Sequence, residues 1–280
     1  MMENMLVVRV SKFAKLYRAD YLKELDTNLQ SIQSHWFQAF RFLISKILAQ
    51  GRPAKTGRLL RKMVEDTVTS HFDCKSSDGI TGTNPKVFTV AKQTFEEMKV
   101  KGRPYKKQND VDTLFGAETK SRVYNTHGIL RFIATLPAGN IVQYSISEIQ
   151  AGRLIPHYRK LISFYGIGPI AAATYLRDLV DLYHYEIGSK VATVEELAHI
   201  QPVDAHVKRV ALEVGIEFEG EGAIHQGRSI VEACQQVSFS NKLPIFFSQG
   251  ASWICANAFE AALKLLSHQN LEDDLSSRFS

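Results

Sequence analysis

The segment IPHYRKLISFYGIGPIAAATYLRDLVDL, residues 155–182, reads as two helices joined by a glycine corner. The first helix ends at Phe164, Gly166-Ile167-Gly168 makes the turn, and Pro169 opens the second helix. Proline at a first helical position forfeits no hydrogen bond and presets a helical φ. The two glycines permit positive φ and leave the backbone uncovered. Bare N–H groups at the start of the second helix then face outward, where the helix dipole favours an anion. A DNA phosphate fits there without a charged side chain, in a contact that positions the protein and carries no base information. An ordinary αα-corner uses the same G-x-G pattern. The context favours the phosphate reading: Leu161 and Phe164 before the turn, Ile167 within it, and Ala171, Ala172 and Leu176 after it. Small residues in the second helix allow the close packing that a rigid hairpin needs.

Helical spacing recurs along the rest of the chain. Phe37, Phe40, Leu43, Ile44, Ile47 and Leu48 share one broad face. Gly51-Arg52-Pro53 stops that helix, and another begins near Lys55 and runs through Leu59, Leu60 and Met63. Residues 75–84 form a polar Ser/Gly/Thr/Asn loop. The basic stretch 86–108 follows, as an inserted helical excursion or a mobile arm; a DNA contact and a solvated charged surface both fit it. Further helices are expected over 124–136, 145–150, 156–164, 204–214, 228–236 and 248–267. Leu6–Val10 is the best strand candidate. Trp36, Trp253 and the Phe246–Phe247 pair read as core. The expected fold is all-α, in two helical lobes with a cleft between them. A central lobe would cover 37–185, with an insertion at about 75–118, and a second lobe would join 1–36 to 200–280.

Hydrophobic residues make up 45% of the 280, enough to build a core rather than a disordered chain. The net charge of +5 is compatible with a phosphate-rich partner but common among proteins that have none. Cys74, Cys234 and Cys255 are far apart and show no C-x-x-C spacing, which argues against a disulfide framework or a four-cysteine metal site. Reduced thiols fit an intracellular, soluble protein of the cytoplasm, nucleoid or nucleus. Met5–Val8 is too short for a signal sequence, and no stretch approaches the ~20 apolar residues of a membrane span. His157 and His184 lack metal-ligand spacing, and no metal site is expected.

FYGIGPIAAATYL, followed by PVDAHVKRVALEVG, resembles the hairpin and Gly/Pro/Asp region of the helix-hairpin-helix DNA glycosylases, the superfamily of endonuclease III, adenine mismatch glycosylase and 8-oxoguanine glycosylase. The resemblance implies that Gly166, Ile167 and Gly168 form a DNA-binding hairpin and that Asp204 is the catalytic carboxylate. His206 and Arg209 complete the V-D-x-H-x-x-R pattern. LISKILAQ is similar to an early helix of the family, which makes Gln50 the candidate to fill the gap left by an extruded base. VYNTHGILRFI is similar to the helix preceding the hairpin. IFFSQGASWIC is similar to a late segment that begins an iron–sulfur cluster in some members; Cys255 takes the first cysteine position and no cysteine follows it, so no cluster is expected. The resemblance allows a monovalent cation at the hairpin. Bifunctional members carry a lysine where Ile170 stands, so no lyase step is expected. The stretch 179–202 and the insertion are long for the family and bear on the substrate more than on the fold.

Cleaving an N-glycosidic bond builds positive charge on the sugar. A carboxylate beside it stabilises that charge and can orient or deprotonate water, provided a pocket receives a base taken out of the stack. Asp204 also reads as a helix N-cap, and the two roles can coexist. Arg209 could pair with a phosphate or a carboxylate. Lys160 and Arg159 precede the hairpin as phosphate contacts or surface charges, and Tyr165 is the hairpin's own aromatic. The expected function is monofunctional base excision from double-stranded DNA by a monomer, with no membrane involvement. Two alternatives stand beside it: a DNA-binding protein of this fold without catalysis, and an N-glycosidase acting on a nucleoside, nucleotide or RNA.

Overall fold

The computed structural model describes residues 2–26, 28–48, 54–98, 107–116, 128–257 and 259–266. Helix accounts for 76% of the structure and no strand occurs among the described residues, so the fold is all-α. No described helix is long and apolar enough to cross a membrane. The chain forms two compact units, one of residues 28–175 and one joining 1–27 to 176–280. The boundaries therefore fall near residues 28 and 176 rather than near 37 and 185–200. The second falls inside the helix Pro169–Leu182, where no change of composition marks it.

In the unit of 28–175, the helix Trp36–Ile47 buries a broad apolar face that includes Trp36, Phe40, Leu43 and Ile44. The described part of the basic insertion is packed helix rather than an arm. Asn84 caps the helix Pro85–Glu97 by accepting from the Lys86 amide at 2.9 Å, and proline occupies its first turn. Phe88, Ala91 and Phe95 of that helix are buried, and the Phe95 ring lies 6.1 Å from that of Phe115 in the helix Lys107–Phe115. The charges at 99–106 lie outside the described residues.

A buried polar cluster sits deeper in this unit. The Ser145 hydroxyl donates to the Ile141 carbonyl at 2.7 Å. Its oxygen lies 2.8 Å from His157 Nε2 and 2.9 Å from the Tyr175 hydroxyl. Because Ser145 already donates to the carbonyl, His157 is assigned as the Nε2–H tautomer, donating to Ser145 Oγ. His157 Nδ1 is then a bare lone pair, buried with no hydrogen-bond partner among the described residues. A second proton there would be a charged donor facing no acceptor, and burial pushes the imidazole down to about 4. Below the unfolded pKa of roughly 6.5 the unfolded chain binds a proton that the folded one refuses. This contribution is complete above that pH and is lost as pH falls toward the folded value. Denaturant unfolding is expected to show stability dropping by about 1.4 kcal/mol per pH unit through that window. His157→Gln flattens the slope by close to one proton; an unchanged slope in the variant would assign the titration to another group.

The unit of 1–27 and 176–280 contradicts the strand reading of Leu6–Val10, which lies within the helix Met2–Lys12. Val7 and Val10, three residues apart, are buried on one helical face. That face packs on the helix Lys242–Asn257, where Gly250 has no side chain: a Cβ there would stand 2.0 Å from the Val10 carbonyl oxygen. Close helix packing overrides the β-propensity of Leu-Val-Val-Arg-Val. A π-helical turn, Arg18–Leu22, follows, and its Asp20 carboxylate accepts from Trp253 Nε1 at 2.6 Å. The expected single helix over 248–267 is two, Lys242–Asn257 and Phe259–Leu266.

Candidate functional site

Asp204 is reached through a short buried run, Ile200 to Val203. Its own amide donates to the Pro202 carbonyl at 3.0 Å, and its backbone is extended, with φ −87° and ψ 179°. The next residue begins the helix Ala205–Glu213. Oδ1 accepts from the amides of His206 at 2.9 Å and Val207 at 2.8 Å, so the predicted N-cap is formed. Both bonds fall on the same oxygen, and Oδ2 accepts none among the described residues. The side chain is half-buried. One carboxylate oxygen is thus fixed by a helix N-terminus while the other is left to meet a ligand or water.

Cys255, from the helix Lys242–Asn257, stands beside this cap. Its thiol donates to the His206 carbonyl at 3.3 Å. Burial, together with the Asp204 charge, pushes that thiol up to about 11, so it is a neutral packing group rather than a nucleophile. The sequence showed Cys255 only as a first cysteine with no successor. Its place against the cap came from helix packing, which no local signal announces. Arg209, on the same helix as the cap, is engaged by its neighbours: the guanidinium carbon is 3.6 Å from the Phe259 ring centroid, and Nη2 is 3.5 Å from Glu260 Oε1. Lys208 lies 5.5 Å from the Phe218 ring centroid. His206 is exposed.

The glycine corner belongs to the other unit. The helix Leu154–Ile162 ends at Ser163, and Gly166 adopts φ +79°. The Ile167 amide donates to the Phe164 carbonyl at 3.1 Å, and the Ala172 amide to the Gly168 carbonyl at 3.1 Å. Gly166 needs the left-handed region and Gly168 does not. A Cβ added at Gly168 meets nothing within 4 Å, so its backbone faces open space immediately before Pro169–Leu182. The Ile167 side chain is buried with Leu161, Phe164, Ala171 and Ala172. Ile167 can therefore meet a ligand only through its backbone. Lys160 is exposed, with Nζ 5.3 Å from the Phe132 ring centroid and 5.7 Å from that of Phe164. Tyr165 is half-buried in the turn and Arg159 is exposed. Ile170, at the position of the missing lysine, is half-buried. Gln50 lies outside the described residues.

No known family model, curated protein or solved structure matches the chain. Among the described residues no three His, Cys, Asp or Glu side chains converge as a metal site would require. All three cysteines are free thiols. A hollow of about 230 Å³ in the unit of 1–27 and 176–280 is lined by residues of the N-terminal helices and by Phe246, and Asp204 is not among them.

Proposed function

We propose that this protein is a monofunctional DNA N-glycosylase of the helix-hairpin-helix type, which hydrolyses one everted base from double-stranded DNA. The observation that carries the reading is the divided carboxylate of Asp204, with Oδ1 locked by two amides and Oδ2 unengaged. A carboxylate oriented in this way can stabilise an oxocarbenium-like sugar or take a proton from the attacking water. The hairpin supplies a complementary function, because backbone amides at a helix start bind a phosphate without a charged side chain. With isoleucine at 170 there is no amine for a Schiff base, so the product is an abasic site on an intact strand. The test is base release from a panel of duplexes, each holding one modified base, read before and after hot alkali. Strand cleavage without alkali contradicts the reading, as does the absence of release from every duplex.

Capping alone accounts for an aspartate at 204, which favours a second reading: a DNA-binding protein of this fold without catalysis. Both readings share the hairpin, and the open space at Gly168 gives it a clean test. Gly168→Ala is expected to leave thermal stability nearly unchanged while its methyl group obstructs the phosphate, lowering duplex affinity about tenfold. Gly166→Ala instead strains a left-handed residue and costs roughly 1–2 kcal/mol of stability. Fluorescence anisotropy on an abasic-analogue duplex, paired with melting curves, separates the two effects. Unaltered affinity in Gly168→Ala removes the hairpin from the DNA interface.

A further inference from the structure

Two aromatic side chains in the unit of 1–27 and 176–280 make almost no contact with the protein: Tyr185 is 101% exposed and Phe239 96%. Other large exposed side chains of this unit, such as Tyr21 at 46% and Leu212 at 54%, rest at least partly on their neighbours. A bare ring costs solvation free energy and adds nothing to packing.

Lys242 adjoins His184, the neighbour of Tyr185, and follows Phe239 by three residues. Tyr185 follows His184, with the ring centroids 6.2 Å apart. Lys242 and Asp181 both face His184: burial and then the Lys242 charge lower its imidazole, and Asp181 acts the other way. Asp181 in turn bonds Arg18 and Gln249. Arg18, with Lys12 and Lys15, lines the hollow of about 230 Å³, whose wall includes Phe246, one turn beyond Lys242. Phe239 lies in the short connection just before the helix that starts at Lys242. These contacts run from Tyr185 through His184 and Asp181 to Arg18 and the hollow, and Phe239 stands three residues before Lys242 along the chain. Carboxylates accompany them: Asp181 engaged as above, Glu186 exposed beside Tyr185, and Asp20 two residues from Arg18, bonded to Trp253 Nε1.

Cores of protein–protein interfaces are depleted in lysine and are contiguous apolar patches. Separate rings between cations match a single nucleic-acid strand instead, whose bases stack on aromatics while its phosphates follow positive charge. We propose that these residues form one face that binds single-stranded nucleic acid, with phosphates along Lys12, Lys15, Arg18 and Lys242 and bases stacked on Tyr185 and Phe239. The site is separate from Asp204 and does not depend on base excision.

The test is fluorescence anisotropy with a fluorescein-labelled oligothymidylate across a salt series. Wild-type protein is expected to bind, with affinity falling as salt rises. The double variant Tyr185→Ala/Phe239→Ala is expected to bind about tenfold more weakly or worse. Its melting midpoint should not move, because neither ring is packed. Lys12→Gln/Lys15→Gln should reduce the slope of log affinity against log salt by about 1.4, roughly 0.7 for each of two phosphates. Three results overturn the proposal: no binding by wild type, equal binding by wild type and the aromatic variant, or a concentration-dependent dimer that this variant dissolves without loss of DNA binding. Base release on modified duplexes is measured with the same preparations. Failure there sinks the glycosylase reading and leaves single-strand binding intact, so the two are judged apart.

Discussion

Asparagine at position 204 is expected to lower base release by about 10²–10⁴-fold while leaving the fold and duplex affinity in place. Asparagine and aspartate are equally good N-caps. The amide oxygen of the substituted side chain can accept from the His206 and Val207 amides as Asp204 Oδ1 does now. What changes is the second atom: an NH₂ donor replaces Oδ2. It can neither stabilise a cationic sugar nor accept a proton from water. Asp204→Ala removes both functions, so it adds a loss of about 1 kcal/mol in stability to the loss of activity. Single-turnover release from a modified duplex, measured beside urea unfolding for wild type and both variants, distinguishes the roles. An asparagine variant that releases base at the wild-type rate reduces Asp204 to a cap and leaves the non-catalytic reading. One that binds duplex normally, unfolds normally and releases nothing assigns the chemistry to Oδ2.

The parts legible in the sequence are those fixed by neighbouring residues. The N-cap at Asp204, the glycine corner and the proline that opens the second helix each follow from local backbone chemistry, and each is present. The core aromatics were legible for a similar reason: Trp36, Trp253 and Phe247 are buried, although Phe246 is only half so. What could not be read depends on packing between distant segments. Leu6–Val10 is rich in β-branched residues, and only Gly250, far along the chain, makes a closely packed helix of it. Cys255 meets the Asp204 cap through the same helix. Nothing local separates the bare rings of Tyr185 and Phe239 from buried ones. The two glycines of the corner look equivalent on paper. Only coordinates reveal that one supplies a positive φ and the other an open approach.

Removing the charge of Asp178 is expected to destabilise the protein by about 3–5 kcal/mol, because it strands a buried cation. In sequence, Arg177-Asp178 resembles any polar pair on an amphipathic helix. In the structure the two side chains are 1% and 0% exposed, 2.8 Å apart, on the helix whose first residue follows the glycine corner. Arg177 Nε donates to Asp178 Oδ1 at 2.9 Å, and Nη2 donates to the Tyr17 hydroxyl at 2.6 Å. Tyr17 donates in turn to Asp178 Oδ2 at 2.8 Å, and burial, its largest influence, holds that phenol well above its usual range, so it remains a donor. The guanidinium also lies over the Tyr17 ring, 4.8 Å from its centroid. Each bond in this ring of three has at least one charged partner, and Ser248 and Gln249 stand 3.5 Å from Arg177 Nη1 and Asp178 Oδ1. Asp178→Asn keeps the shape and loses the charge, so it should unfold at much lower urea. The double change Arg177→Met/Asp178→Asn removes the stranded cation and should recover most of the loss, since buried ion pairs are often replaceable by apolar groups at little net cost. Both differences should persist in high salt, because screening ions do not reach a pair sealed from water. If Asp178→Asn loses less than about 1 kcal/mol, the Ser248 hydroxyl 3.5 Å from Arg177 Nη1 and the nearby Asp181 charge hold the guanidinium without Asp178.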